Sequence, residues 1–430
     1  MNPPSSRRRV AIACQGGGSH TAFTAGVLSR CFDSDVLENY EFVGLSGTSG
    51  GAICALVAWS TLVRGHPERA AALLERFWSA NSASLPVERV VNSMMLWGAR
   101  VAEQFGAPTL SPYDSFLSAW SLEHLRTMVN SVIDFEGLTE LAVEDAAPLL
   151  LLGSVDVVSG RLRTFNSRQG EVSADAVLAS AAIPSMFRAV SMHGGAYWDG
   201  LMTQNPPLRG LMDAAPDELW VIQVNPTSID YEPSTVSEIA NRRNELAGNL
   251  ALLQELSSLE IFDELIARGE LKSERVRPVT IRLMEMQRPP SALRWNATSK
   301  LNRDPRFIRE LITLGTQQAE DFLASIELER HWQRGDGDSM LDHVARGATI
   351  SVDLPGVQIE ATDDPKAVQD FFTHRLHELV SLNLTRKRVF RNAVSWELRV
   401  HGPDQLATAA AEAWFQEGLV TRFRLALPTH

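Results

Sequence analysis

The pentapeptide Gly47-Thr48-Ser49-Gly50-Gly51 constrains this chain more than any other feature. The extended stretch Tyr40–Leu45 precedes it and the helix-like run Ala52–Val63 follows. Strand, sharp turn and helix in that order form the setting in which a Gly-x-Ser-x-Gly turn exposes a serine hydroxyl. Glycines on both sides reach backbone angles that a Cβ disfavours and let a substrate carbonyl approach the main chain. The positive end of the helix faces the hydroxyl, where an alkoxide or oxyanion is stabilised. A tight βα turn without chemistry uses the same residue types, so other elements must decide between the two.

Upstream, Val10-Ala11-Ile12-Ala13-Cys14 reads as a short buried strand, and Gly16-Gly17-Gly18 separates it from a helical stretch, Ser19 to Cys31. Backbone N–H groups at such a junction suit a phosphate or the oxyanion of an acyl-transfer intermediate. A P-loop needs a Lys that is absent here, and Thr21 stands where a dinucleotide fingerprint needs glycine. The oxyanion reading gains because Ser49 lies one βαβ step later. A third element is Asp199-Gly200, which ends the run His193–Trp198 and precedes Leu201-Met202-Thr203-Gln204-Asn205-Pro206-Pro207. Alone it is a turn; beside the other two elements, Asp199 becomes a candidate base for Ser49.

Carrying these three elements, the chain resembles the patatin-like phospholipase family. Ser111-Pro112-Tyr113-Asp114, Asp134-Phe135-Glu136-Gly137-Leu138 and Ala179-Ser180-Ala181-Ala182-Ile183-Pro184 before Phe187 extend the likeness over roughly residues 8–290. The chain departs from the pattern at His20, where the family usually carries Arg or Lys, at Thr21, where glycine is common, and at Leu201, which replaces a small residue. The resemblance implies an α/β fold: three α/β/α layers, a mostly parallel central sheet and a helical insertion. It also implies an enzyme that cleaves carboxylic esters of phospholipids, lysophospholipids or related acyl esters, without metal or cofactor. Ser49 is then the nucleophile and Asp199 the general base. Gly16, Gly17, Gly18 and Gly50 form the oxyanion hole, Gly47 and Gly51 shape the elbow, and Gly200 follows the base.

Residue order supports a Ser–Asp dyad independently. An α/β-hydrolase places its elbow after several strands and continues Ser…Asp…His. Ser49 lies too near the N-terminus for that, and no histidine follows Asp199 until His331. A carboxylate with an ordinary pKa of about 3.9 is a weak base for a serine. It serves only if close, aligned and partly desolvated, with the oxyanion hole supplying most of the barrier reduction.

The net charge of −12 argues against nucleic acid and against purely electrostatic capture by anionic lipid. Cys14, Cys31 and Cys54 show no paired spacing, which fits reduced thiols in a cytoplasmic protein. The five apolar residues after Arg7-Arg8-Arg9 are too few for a signal-peptide core and are needed as the first strand. The longest apolar run, Ala52–Trp59, is far short of the roughly twenty residues that span a bilayer.

Along the chain, residues 1–335 are expected to form the catalytic domain. A helical insertion over about 65–127 contains Glu68–Trp78, Pro86–Phe105 and Leu122–Ile133, all with three- and four-residue apolar spacing. Within it, Met94-Met95-Leu96-Trp97 and Phe105 read either as an acyl-contacting lid or as ordinary packing against the sheet. A helical and basic segment covers about 237–310. Lys and Arg outnumber Asp and Glu over 268–309, which suits a solvated face or a transient membrane-surface contact. Gly335-Asp336-Gly337-Asp338 reads as a linker into a small α+β segment, 336–430, with a helix over Pro365–Leu382 and another over Pro403–Phe415. Acyl transfer to an alcohol other than water is a rival activity. A scaffold or effector acting through residues 336–430 is a rival of another class.

Overall fold

The computed structural model describes residues 7–427 except 106–110, 115, 145, 185, 230, 272–276, 287–294, 297, 391–392 and 401–406. The chain divides into two compact units, Met1–Thr280 with Arg288–Thr316, and Ile281–Gln287 with Gln317–His430.

The first unit is α/β. It runs β1 (Arg8–Cys14), α1 (Ala22–Cys31), α2 (Ser34–Asn39), β2 (Tyr40–Gly47), α3 (Gly50–Val63), α4 (Ala70–Asn81), α5 (Pro86–Phe105), α6 (Phe116–Val132) and α7 (Leu138–Ala142). There follow β3 (Leu149–Asp156), β4 (Leu162–Asn166), α8 (Ala174–Ala181), β5 (Val190–Met192), β6 (Gly195–Asp199), β7 (Glu218–Gln223) and α9 (Val236–Ala267). The sheet order is β7-β1-β2-β3-β6-β5, with β4 also paired to β3. Its central four strands are parallel, whereas β4, β6 and β5 add an antiparallel edge. The sheet is therefore mixed, parallel at its centre. Strands β1, β2 and β7 read as near-continuous apolar runs because helices cover both faces. Helix α3 is buried from Gly50 to Thr61, so it is apolar all round rather than amphipathic. The expected helices over 68–78, 86–105 and 122–133 correspond to α4, α5 and α6.

The second unit carries β8 (Thr280–Glu285), which starts on the last residue of the first, and the later part of α10 (Pro305–Arg334). Then come α11 (Gly337–Leu341), β9 (Val344–Leu354), β10 (Val357–Thr362), α12 (Pro365–Asp370), α13 (Leu376–Leu379), β11 (Val380–Phe390), β12 (Ala393–Val400), β13 (Ala407–Gln416) and β14 (Leu419–Ala426). Its strands run β8-β11-β12-β13-β14-β9-β10. Pro403–Phe415 is not a helix: residues 403–406 lie outside the described residues, and the remainder is β13. Alanine favours helix in isolation. However, β13 pairs with strands on both sides and buries Ala409, Ala411, Ala413 and Phe415 at alternate positions. The helix from Pro365 ends at Leu379, and β11 follows where continued helix was expected.

Nor does Gly335–Asp338 separate the units. Gly335 terminates α10 at φ 70°, and the Asp336 side chain accepts the Ser339 N–H at the start of α11. What ties β8 and late α10 to the C-terminal strands is a buried ion pair. Arg282 donates to both carboxylate oxygens of Glu329 at 2.8 and 2.9 Å, and Trp396 Nε1 donates to the same carboxylate at 3.2 Å.

Candidate active site

Ser49 sits between the end of β2 and the first turn of α3, at φ 58° and ψ −132°. For a residue with a Cβ this is a strained conformation, held only where the surroundings over-determine it. The surroundings do so. The Ser49 N–H donates to Ser180 O at 3.1 Å and to Ser180 Oγ at 3.2 Å, and Ser180 Oγ donates to Gly153 O at 2.7 Å. Thr48 Oγ1 donates to Gln204 O. The flanking glycines are required by space. A Cβ on Gly47 would lie 2.5 Å from Gly51 O, and one on Gly51 would collide with Cys14 O at the end of β1.

Asp199 ends β6, where it pairs with Ser154 of β3, and its N–H donates to Ala182 O at 3.0 Å. Ser49 and Asp199 are both buried. Asp199 Oδ1 accepts the Leu201 N–H at 2.8 Å. The buried Oδ2 makes no hydrogen bond. The Ser49 hydroxyl lies near enough to favour the charged carboxylate, without completing a bond to it. Burial pushes the carboxyl from its ordinary 3.8 up to about 7, against the smaller opposing pull of Ser49 and the Leu201 N–H. The structure therefore brings together the two residues singled out in the sequence. Gly200 packs where a Cβ would press on Gly153 at 3.0 Å.

The glycine turn lies against the elbow: a Cβ on Gly16 would meet Thr48 O at 2.5 Å and Ser49 Cβ at 2.8 Å. Gly18 adopts φ 58°, a region that favours glycine. One expectation changes. The Gly16 N–H donates to Asn205 Oδ1 at 2.7 Å, so it is already used and does not face an oxyanion. The hydrogen bonds of this region leave the N–H groups of Gly17, Gly18 and Gly50 out. Asn205 is a residue whose role the sequence reading missed. Its Nδ2 donates to Gly248 O at 3.3 Å. Gln15 extends the same buried network, donating from Nε2 to Asn249 Oδ1 at 2.9 Å and accepting the N–H groups of Val224 and Asn225. The only trace in the sequence was the run Gln204-Asn205-Pro206 after Asp199-Gly200.

His20 is fully buried and its Nε2 pairs with Ser299 Oγ at 2.8 Å. Its ring lies 5.7 Å from that of Trp295 and 6.0 Å from that of Phe307. Thr21 Oγ1 donates to Gly18 O at 2.6 Å and occupies the space a Cβ on Gly50 would need. His20 and Thr21, two of the three departures from the family pattern, thus pack the turn. Cys14, Cys31 and Cys54 are buried. Burial pushes the Cys54 thiol up to about 12, which removes it as a nucleophile. Met94 and Trp97 are exposed and do not pack on the sheet; the side chains of Met95 and Phe105 lie outside the described residues. Among the described residues, no group of three or more His, Cys, Asp or Glu could hold a metal ion. No helix there is long and apolar enough to cross a membrane.

No curated protein sequence matches the chain. Among solved structures it is similar to an NTF2-like protein of unknown function from Mesorhizobium loti, at 11% identity and TM-score 0.22 over 26% of this chain and 92% of that one. It is also similar to a putative polyketide cyclase from Xanthomonas campestris pv. campestris, at 18% identity and TM-score 0.21 over 25% and 90%. At such TM-scores neither likeness bears on function. The family comparison does: residues 12–212 match the patatin-like phospholipase family. That matched segment holds the glycine turn, the elbow and Asp199.

Proposed function

We propose that this chain hydrolyses carboxylic esters of phospholipids, lysophospholipids or related acyl lipids, with Ser49 as nucleophile and Asp199 as general base. The observation that carries this reading is a serine held at φ 58° beside a buried carboxyl raised to about 7. A base poised near neutrality is matched to abstracting a proton at working pH. Asp199 takes the Ser49 proton as Oγ attacks the ester carbonyl. The carbonyl oxygen becomes an anion held by the N–H groups of Gly17, Gly18 and Gly50, which need no reorganisation because the turn is already packed. As the tetrahedral intermediate collapses, the C–O bond to the alcohol breaks and Asp199 returns the proton to the leaving oxygen. Water then adds to the acyl-Ser49 with Asp199 again as base, and the fatty acid departs as Ser49 recovers its proton. The absence of paired cysteine spacing in the sequence fits a reducing compartment, the cytoplasm.

Product analysis tests the reading. Incubation with a phosphatidylcholine and lysophosphatidylcholine mixture is expected to release free fatty acid with wild type and none above background with Ser49→Ala. Equal release by both proteins would overturn it.

A further inference from the structure

We propose that helices α5 and α9 present an apolar docking surface for an uncharged or zwitterionic lipid bilayer, set directly behind the wall of the active site. The inference rests on the lipid substrate of the reading above. Over Val87–Trp97 the described side chains of helix α5 are turned inside out. Its polar Asn92 faces the protein, donating to Asn302 Oδ1 at 3.3 Å and accepting the Arg303 N–H at 3.1 Å. Val87, Val90, Val91, Met94 and Trp97 recur at three- and four-residue steps on the opposite side. They face solvent, with Met94 66% and Trp97 70% exposed. An amphipathic helix normally turns the other way.

Helix α9 lies against α5 and repeats the pattern. Val236, Ile239, Leu246, Leu250, Leu253 and Ile261 are exposed along one face. The inner face of the same helix builds the site: Gly248 O accepts from Asn205 Nδ2, and Asn249 accepts from Gln15. Leu246 and Leu250 stand two residues to either side of Gly248, which on an α-helix is the far side. A surface seated on that ridge lies about one helix diameter, roughly 10 Å, from the residues that hold the glycine turn. The turn after Asp199, Gly200–Met202, also packs against α9, and its Met202 is 65% exposed. A substrate that lives in a bilayer must leave it beside the catalytic pair, and α9 packs against the turn that follows Asp199. The net charge of −12 favours a neutral headgroup surface over an anionic one; the α5 ridge from Val90 to Trp97 carries no charge, and Arg243, between Ile239 and Leu246, interrupts that of α9.

The test is flotation of the full chain with large unilamellar phosphatidylcholine vesicles, alongside turnover of a short-chain soluble ester. Wild type and Ser49→Ala should float equally. Val90→Glu/Met94→Glu/Trp97→Glu and, separately, Leu246→Glu/Leu250→Glu should each weaken vesicle binding by about tenfold or more. Their soluble-ester turnover and melting temperatures should match wild type, and Trp97→Phe should bind as wild type does. Adding anionic lipid should strengthen wild-type binding little. Wild type that stays in solution, ridge variants that float undiminished, or a concentration-dependent dimer that the ridge substitutions dissociate without any flotation would each overturn the proposal. Retained ester turnover by Ser49→Ala, with flotation as expected, would instead sink the catalytic reading and leave the surface standing.

Discussion

Asp199→Asn should destroy activity and stabilise the fold, and the second effect has a magnitude and a pH signature. Asp199 is buried, and in the folded protein its carboxyl is raised from 3.8 to about 7. Between those values the folded chain holds a proton that the unfolded chain has released. The unfolded state therefore binds fewer protons, and stability falls as pH rises through that window. Each pK unit corresponds to roughly 1.4 kcal/mol, so the full penalty is of the order of 4 kcal/mol and is complete only above about pH 7. Asparagine resembles the protonated acid: its side-chain oxygen keeps the Leu201 N–H bond and it carries no charge to desolvate. The variant should match wild type near pH 4 and exceed it increasingly up to pH 8.5, by several degrees in melting temperature. Hydrolysis at pH 8 should meanwhile fall by about 10²–10⁴-fold. Denaturant titrations of both proteins at pH 4.5, 6.5 and 8.5 give the comparison. A variant no more stable than wild type at pH 8.5, or equally stabilised at all three values, would refute the buried high-pKa carboxylate.

Three further outcomes follow from the same geometry. On a soluble ester, wild-type kcat/KM should rise with pH and level off above about 7, because only the ionised Asp199 accepts the Ser49 proton; a flat profile from pH 5 to 8 would exclude that role. Asn205→Leu leaves the Gly16 N–H buried without an acceptor, at a cost of about 1–3 kcal/mol, and should lower kcat more than it raises KM, whereas Asn205→Asp keeps the acceptor; steady-state kinetics on the three proteins decide it. In the second unit, Arg282→Met strands a buried Glu329 carboxylate and should cost about 3–5 kcal/mol in urea unfolding, most of which Arg282→Met/Glu329→Leu recovers.

The parts of this molecule that were legible in its sequence are those set by local stereochemistry. The elbow at Ser49 and the turn at Gly16–Gly18 are strand–turn–helix junctions whose glycines report close backbone approach, and the structure places both as expected. The assignment of Asp199 needed the family pattern, because a carboxylate at a strand end gives no local sign that burial will raise its pKa. Gly16 was misread because its partner, Asn205, is remote in sequence and meets it only through tertiary packing. Strand β13 was misread because alanine carries no information about its neighbours: Ala409, Ala411 and Ala413 follow the ladder on either side of them. The outward turn of α5 was illegible too. Its three- and four-residue spacing fixes an apolar face but not which way that face points, and the deciding contact is Asn92 with residues 302 and 303.

The central claim is that Ser49 is the residue that becomes acylated. The most direct measurement is intact-mass and peptide mass spectrometry of the full chain after treatment with a fluorophosphonate. One adduct per chain, mapped to the peptide containing Gly47-Thr48-Ser49-Gly50-Gly51, absent from Ser49→Ala and slowed strongly in Asp199→Asn, is the predicted result. An adduct at any other residue, or unchanged labelling of Ser49→Ala, would contradict it.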